Sequence, residues 1–342
     1  MKQLTTKKLF ETVFSEIRDC HINRVLVAVF LFDFLDKLRN NNFPDNWFDI
    51  LEGELIKLFN LFNNINDLFD LPLNSSEFKE RRFQPRSIQE RTGEVYYNLW
   101  KHFRKNEYHD ETIKNLNERF EKNNIYINNI ECALDDGCGS GRYTYALSNL
   151  GCKRIWGVDI SSNSIAFAKQ NNVLKNGKVQ FLTCSVLDLP FEDESFDFVF
   201  SNGVLHHTVD VKRGIDEIHR VLKKDGKCWL YLYGGKNSFF WDVVDFCRNL
   251  LNEIPQHYTQ MVMNVFGYPP GRIFHRSDFF YVPINNRYYQ DEIITMLNET
   301  GFTDFTRLKR GTEYDWDEII FNNPDIDPYI YGEGEMRFWL TK

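Results

Sequence analysis

The stretch ALDDGCGSGRYTYAL (Ala133–Leu147) sets two aspartates directly before three glycines at alternate positions, Gly137, Gly139 and Gly141, with Cys138 between the first two. Glycine takes φ > 0 without strain and lets another molecule touch the main chain. The spacing G-x-G-x-G differs from the G-x-G-x-x-G that seats a pyrophosphate over a helix N-terminus. Asp135 and Asp136 would repel a pyrophosphate; they suit a ligand with an ammonium or sulfonium group. Asp159 closes the next apolar run, 159 − 137 = 22 residues beyond Gly137. A carboxylate there accepts hydrogen bonds from both hydroxyls of a ribose. It equally serves as an N-cap for the SSNSIAF that follows.

These residues need a framework that brings strand ends together. From about residue 131, strand CALDD is followed by helix GRYTYALSNLG, strand KRIWGVDI and helix SSNSIAFAKQNN, the last with serines at its start as cap. Then come strands KVQFLTCSV and FDFVFSNG, helix DVKRGIDEIHRVLKKDGK and strand CWLYLYG. In that last helix Val211, Ile215, Ile218, Val221 and Leu222 share one face. After an interruption, helix QDEIITMLNETG and strands FTDFTRLKR and MRFWLTK resume the rhythm. Such alternation predicts a mostly parallel sheet with helices on both faces. Ligands of such sheets bind at the strand carboxyl ends, where the glycine turn and Asp159 fall. A ribose with a positive charge and no phosphate describes S-adenosylmethionine.

Four runs in this order, LDDGCGSGRYTYAL, GVDIS, LDLPFEDESFDFVFSNGVLHHTVD and EIHRVLKKDGK, resemble the class I S-adenosylmethionine-dependent methyltransferases. Within them the chain is most similar to the small-molecule branch that includes the ubiquinone/menaquinone-biosynthesis-type enzymes. The resemblance covers about residues 131–234 and extends weakly to the last two strands. It implies an α/β, Rossmann-like, seven-stranded, mostly parallel sheet, with an N-terminal helical region and a lid insertion after the fifth strand. It also implies that Asp135 and the turn Gly137, Cys138, Gly139 and Gly141 hold the methionine end of the cofactor. Asp159 would hold the ribose and Ile160 would pack on the adenine, with Asn202 and Gly203 beside the transferable methyl. One position departs from the family. Where an acidic residue usually stands four before LPF, this chain has Ser185. Its hydroxyl still accepts from the adenine amino group, at a cost of about 1 kcal/mol for the lost charge. The Val186 amide would donate to the ring, and Asp188 belongs to the next turn.

Methyl transfer is an in-line displacement that needs the nucleophile aligned at about 3 Å and water excluded. A base is needed only where the nucleophile must lose a proton early. His206 stands where some family members carry a catalytic histidine. His206 and His207 either act as base or substrate ligand, or pack and cap their loop. SNGV replaces the Asn-Pro-Pro-aromatic tetrad of enzymes that methylate DNA adenine, exocyclic amines or glutamine side chains, which argues against those acceptors. Tyr96, Tyr97 and Trp100 match the aromatic segment that closes over the cofactor in related enzymes. A tyrosine there orients the substrate or cradles the sulfonium by cation–π contact; otherwise the face simply packs on the domain. Arg272, His275 and Arg276, in the aromatic-rich insertion, suggest a lid over a small anionic acceptor. Glu313, Tyr314 and Arg337 would complete that pocket. The alternative is a helical embellishment with exposed arginines.

The chain has 342 residues, 42% of them apolar, and a net charge of −8 without a long basic run, which argues against a nucleic-acid duplex as partner. Its seven cysteines are odd in number and form no C-x-x-C pair, so reduced buried thiols are expected rather than disulfides or zinc. No metal site is expected around the histidines. The longest apolar run, VLVAVFLF, is far short of the roughly 20 residues of a membrane span. A soluble, cytoplasmic protein without membrane partners is expected. Residues 1–95 read as a helical region with a linker at LPLNSSEFKERRFQPRS, 96–235 with 289–342 as the methyltransferase domain, and 236–288 as the inserted lid. The stripe Leu55, Leu58, Phe59, Phe62 and Ile65 should pack on the catalytic domain or on a second copy, as a homodimer. Two other classes compete. A nicotinamide-dependent oxidoreductase is disfavoured by the glycine spacing and the aspartate pair. A non-catalytic cofactor-binding or partner-regulating subunit is kept open by Ser185.

Overall fold

The computed structural model describes residues 8, 10–11, 15, 20–40, 44–68, 88–100, 109–127, 129–171 and 178–342, without the side chains of 59, 61–68, 89, 90 and 100. The expected linker, and the side chains of Phe59, Phe62, Ile65 and Trp100, lie outside the described residues. In chain order the elements are α1 (His21–Asn40), α2 (Trp47–Leu68), α3 (Ile88–Trp100), α4 (Asp110–Lys122), β1 (Cys132–Asp136), α5 (Arg142–Asn149), β2 (Arg154–Asp159) and α6 (Ser162–Gln170). There follow β3 (Val179–Thr183), β4 (Phe196–Asn202), a single 3-10 turn (Leu205–His207), α7 (Val211–Val221), β5 (Leu222–Leu232), α8 (Phe239–Leu250), α9 (Gln256–Val265) and α10 (Pro270–Tyr281). The chain closes with α11 (Gln290–Thr300), β6 (Asp304–Leu308), α12 (Trp316–Asn322), α13 (Pro328–Tyr331) and β7 (Met336–Thr341).

The described strands form one seven-stranded sheet in the order β3-β2-β1-β4-β5-β7-β6. β1 to β5 pair in parallel and β7 runs antiparallel between β5 and β6. This is the mostly parallel sheet that the alternation predicts, with the seven strands and Rossmann-like form that the resemblance implies. β1 is buried at all five positions, as a strand covered on both faces must be. One face packs Leu134, Val158, Val199 and Leu230 under Ile215 and Ile218 of α7 and Ile293 and Leu297 of α11. The other packs Ala133, Phe198, Phe200 and Trp229 under Leu116 and Phe120 of α4 and Tyr145 of α5. β1 lies between β2 and β4, so the chain reverses direction across the sheet there. That crevice is where such sheets bind ligands.

β5 begins earlier than the pattern suggests. KKDGK reads as a helix end, yet it belongs to the strand, because Leu222 pairs with Phe196 of β4 and Glu194 bonds back to the Arg220 carbonyl.

Two compact units emerge: Met1–Arg86 with Asn237–Pro269, and Ser87–Lys236 with Pro270–Lys342. The sequence-based boundaries differ from this division. Residues 237–269 group with the N-terminal helices, whereas 270–288 and α3 group with the sheet. In the first unit Phe32 of α1 meets Phe240 of α8 edge-on at 6.0 Å, and Trp47 of α2 meets Phe239 at 4.7 Å. Val25, Ala28, Leu31 and Leu35 of α1 are buried in the single chain. Tyr268 is hydrogen-bonded to Asp33. Among the described residues no helix is long and apolar enough to cross a membrane.

Candidate functional site

The glycine turn leaves β1 with positive φ at Gly137, Gly139 and Gly141. The protein's own packing demands two of them. A Cβ on Gly137 would lie 2.3 Å from Val204, and one on Gly141 would lie 2.9 Å from Phe181. The Gly139 amide donates to Asp159 Oδ2 at 2.9 Å, and the Ser161 amide donates to Asp159 Oδ1 at 2.8 Å. Asp159 therefore ties the β1 turn to the end of β2. A carboxylate offers about four lone-pair positions, so two remain for a ribose. Burial pushes its pKa up to about 6, against those two amide bonds. The helix cap itself is Ser161, whose Oγ accepts from the Ser164 amide, so Asp159 is not the N-cap.

Neighbouring strand residues face opposite sides of a sheet. Asp135 accepts from Thr144 Oγ1 of α5 at 2.6 Å, and burial pushes it up to about 7. Asp136 is turned to the other face and is fully buried. Burial pushes it up to about 8, with the Ser201 hydroxyl opposing. The two aspartates thus do not form the joint cation site that their adjacency suggests. Cys138 is buried, and its amide donates to the Val158 carbonyl at 2.7 Å.

α3 passes over the end of β2. A Cβ on Gly93 would sit 2.9 Å from Ser161 Cβ and 3.5 Å from Ile160 Cγ2, so glycine is what allows this approach. Ser185 already accepts from the Leu187 amide at 3.1 Å, and the Val186 side chain is in the core. Asn202 Oδ1 accepts from Trp229 Nε1 at 2.9 Å, and the Gly203 amide donates to the Tyr231 carbonyl at 3.3 Å.

The two histidines follow β4 and are both buried. His206 Nδ1 accepts from the Tyr233 amide at 3.0 Å, and its ring stacks on Tyr233 at 3.6 Å. Its proton therefore sits on Nε2. Burial, with His207 beside it, holds its pKa well below the ordinary value. A base must offer an acceptor nitrogen to the acceptor, and this one does not. The expected role of His206 as base is corrected to a structural one. His207 has the opposite arrangement. Its Nδ1 lies 2.7 Å from the Ile284 carbonyl, which can only accept, so Nε2 is the acceptor nitrogen. Beyond it stands Asp278 of α10, with Oδ1 at 4.0 Å. Tyr96 of α3 donates to Asp278 Oδ1 at 2.7 Å and Tyr233 donates to Oδ2 at 3.1 Å. Burial and then the Asp278 charge hold both phenols well above their ordinary pKa. Tyr97 is half-buried, and its side chain makes no hydrogen bond or ring contact with the described residues.

The anion clamp does not assemble. Arg272 and His275 are exposed on α10, whereas Arg276 is buried on its other side. Glu313 and Tyr314 are exposed too. Arg337 is buried, but it is committed. It bonds Glu335 at 2.6 Å and Asp315 at 3.2 Å, and it lies 4.4 Å from the Tyr231 ring. Arg119 of α4 grips Asp315 with two bonds at 2.7 and 2.8 Å. Burial alone would raise Asp315, but Arg337 and Arg119 outweigh it and hold it well below the carboxylate range. A cavity of about 450 Å³ lies away from this site, between the end of α4 and Phe198, Lys227, Leu308 and Trp339.

Sequence reasoning passed over Thr144, Tyr233 and Asp278. The first two carried a signal: Thr144 is three residues past the last glycine of the turn, and Tyr233 directly follows β5. Asp278 carried none, because no pattern says which side of α10 meets α3 and Tyr233.

Residues 134–230 match the family described as "Methyltransferase domain". A demethylmenaquinone methyltransferase of Oceanobacillus iheyensis is 27% identical over 157 residues, 42% of this chain and 62% of that protein. Phosphoethanolamine N-methyltransferase 2 of Caenorhabditis elegans is 32% identical over 102 residues, 30% of this chain and 23% of that protein. A tRNA U34 carboxymethyltransferase of Campylobacter hominis is 35% identical over 97 residues, 28% of this chain and 34% of that protein. The chain thus spans less than two-thirds of each of these relatives.

Proposed function

We propose that this chain, whose residues 134–230 match a methyltransferase domain, transfers a methyl group from S-adenosylmethionine to a small molecule. The observation that carries the reading is Asp159. It links the ends of β1 and β2 through the Gly139 amide and keeps acceptor capacity for a ribose. Asp135, with the turn from Gly137 to Gly141, would hold the methionine end, and Ile160 would face the adenine. When bound, S-adenosylmethionine supplies an electrophilic methyl on a sulfonium. The chain's own residues bind it, exclude water and orient the acceptor. α3 covers the site with Tyr96, and His207 Nε2 is placed to take a proton.

The relatives' names span a quinone precursor, a phosphorylated amine and a tRNA, so the acceptor is read from this chain's own pocket. An anionic character of that acceptor is not part of the proposal, because Arg272 and His275 point to solvent. A homodimer through the N-terminal helices is not part of the proposal: Leu55 and Leu58 of α2 are buried within the chain, and the side chains of Phe59, Phe62 and Ile65 lie outside the described residues. One observation favours a non-catalytic cofactor-binding subunit instead: the Ser185 hydroxyl is already engaged by Leu187. Turnover separates the two. The chain is incubated with S-adenosylmethionine and a pool of small metabolites, and S-adenosylhomocysteine is measured. Its formation supports the enzyme; binding without turnover supports the subunit.

A further inference from the structure

We infer, resting on the methyl-transfer reading above, that the acceptor presents a protonated aliphatic amine to Asp278, within a wall of aromatic rings. Asp278 is a largely buried carboxylate, with 13% of its side chain exposed. Two neutral phenols, Tyr96 and Tyr233, satisfy one oxygen each. No lysine or arginine lies within ion-pair distance of it among the described residues. Elsewhere in the same unit several buried carboxylates are paired with arginine, although Asp135 and Asp136 are buried without one. Asp315 has Arg119 and Arg337, Glu335 has Arg337, and Asp317 has Arg307. Both oxygens of Asp278 accept from phenols, the arrangement of an ionised carboxylate, and a largely buried carboxylate that stays ionised is stabilised by a cationic ligand.

The walls suit a cation. Tyr96 meets His207 edge-on at 5.6 Å and Phe274 at 6.4 Å, and Tyr233 stacks with Phe279 at 6.0 Å. Aromatic faces attract an ammonium, and a charge-assisted bond to the carboxylate is roughly twice as strong as a neutral one. An ammonium has no lone pair, so it must lose a proton before it can act as a nucleophile. His207 Nε2 lies 4.0 Å from Asp278 Oδ1, so a nitrogen held at the carboxylate is within reach of that acceptor. The proton passes from the ammonium to Nε2 and leaves a neutral amine and an imidazolium. Such an amine differs from the planar, weakly basic amino groups of nucleobases and amides, against which SNGV argues.

The test is calorimetry on the full chain saturated with S-adenosylhomocysteine, using benzylamine, a cation at neutral pH, and benzyl alcohol, its neutral counterpart. Benzylamine should bind about tenfold more tightly or better, a difference of about 1.4 kcal/mol. Asp278→Asn should bring the two ligands level and leave S-adenosylhomocysteine affinity unchanged. Equal binding, tighter binding of the alcohol, no binding of either, or persistent discrimination in the variant overturns the assignment. If Asp278→Asn weakens S-adenosylmethionine but not S-adenosylhomocysteine, the carboxylate serves the sulfonium and the assignment is wrong. If the variant does not fold, Tyr96→Phe and Tyr233→Phe are read instead. Each removes a donor but keeps the charge, so discrimination must survive, and its loss overturns the inference. Failure of the wild-type chain to bind S-adenosylhomocysteine at all is a separate result and sinks the methyl-transfer reading itself.

Discussion

His206 spends its Nδ1 lone pair on the Tyr233 amide, and His207 spends its Nδ1 proton on the Ile284 carbonyl. His207→Ala should therefore lower kcat by about 10²–10⁴ with S-adenosylhomocysteine affinity unchanged. His206→Ala should instead cost about 1–3 kcal/mol of stability, because it leaves a buried amide unsatisfied. Steady-state kinetics and thermal unfolding separate these outcomes, and the reverse pattern would contradict the tautomers assigned. The pair HH does not say which ring keeps an acceptor nitrogen at Nε2; that is set by a carbonyl at position 284. A second prediction concerns Asp136. Its folded pKa, pushed up to about 8, lies above its ordinary value of 3.8, so the folded state holds a proton that the unfolded chain has lost. Its contribution to stability falls as pH rises from 3.8 to about 8 and is flat above that. Asp136→Val should raise stability by about 1–3 kcal/mol at alkaline pH and by less at pH near 4. Equal gains at both pH values in thermal melts would contradict the burial argument.

At the scale of elements, Gly93 lets α3 approach Ser161, and the proposed function has α3 cover the cofactor. Gly93→Leu gains roughly 1 kcal/mol of helix propensity, but the side chain meets Ser161 within 3 Å of its first atom, as the 2.9 Å approach of a bare Cβ shows. Overpacking costs about 1–3 kcal/mol, so the clash should win and push α3 off the cofactor. S-adenosylhomocysteine binding should weaken about tenfold while the melting of the sheet changes little; unchanged affinity in calorimetry would mean that α3 plays no part in the site. The sheet was legible because parallel strands buried on both faces leave short apolar runs such as CALDD and FDFVF between capped helices. The position of Asp135, the glycine turn and Asp159 at strand ends was legible because apolar runs end there and glycines follow. The start of β5 was not, since Leu222 looks helical until Phe196 pairs with it. The acceptor side was not legible either. Arg272 and Arg276 look alike in sequence, and only the burial of one face of α10 separates them.

At the scale of the whole molecule, the division into units follows from which apolar faces cover each other. α1 is buried beside α8, more than 200 residues away, so 237–269 joins the N-terminal helices although it interrupts the sheet domain in sequence. The second unit carries β1 to β7 together with α3 and α10, and Asp135, Asp159, Tyr96, His207 and Asp278 all belong to it. The proposed methyl transfer depends on what binds across the ends of β1 and β2. Titration calorimetry of the full chain with S-adenosylhomocysteine and with NADH, repeated on Asp159→Ala, tests this directly. S-adenosylhomocysteine should bind and NADH should not, and Asp159→Ala should lose about 1–3 kcal/mol from the missing charge-assisted bonds. Binding of NADH in its place, or undiminished S-adenosylhomocysteine affinity in a folded Asp159→Ala chain, would contradict the account.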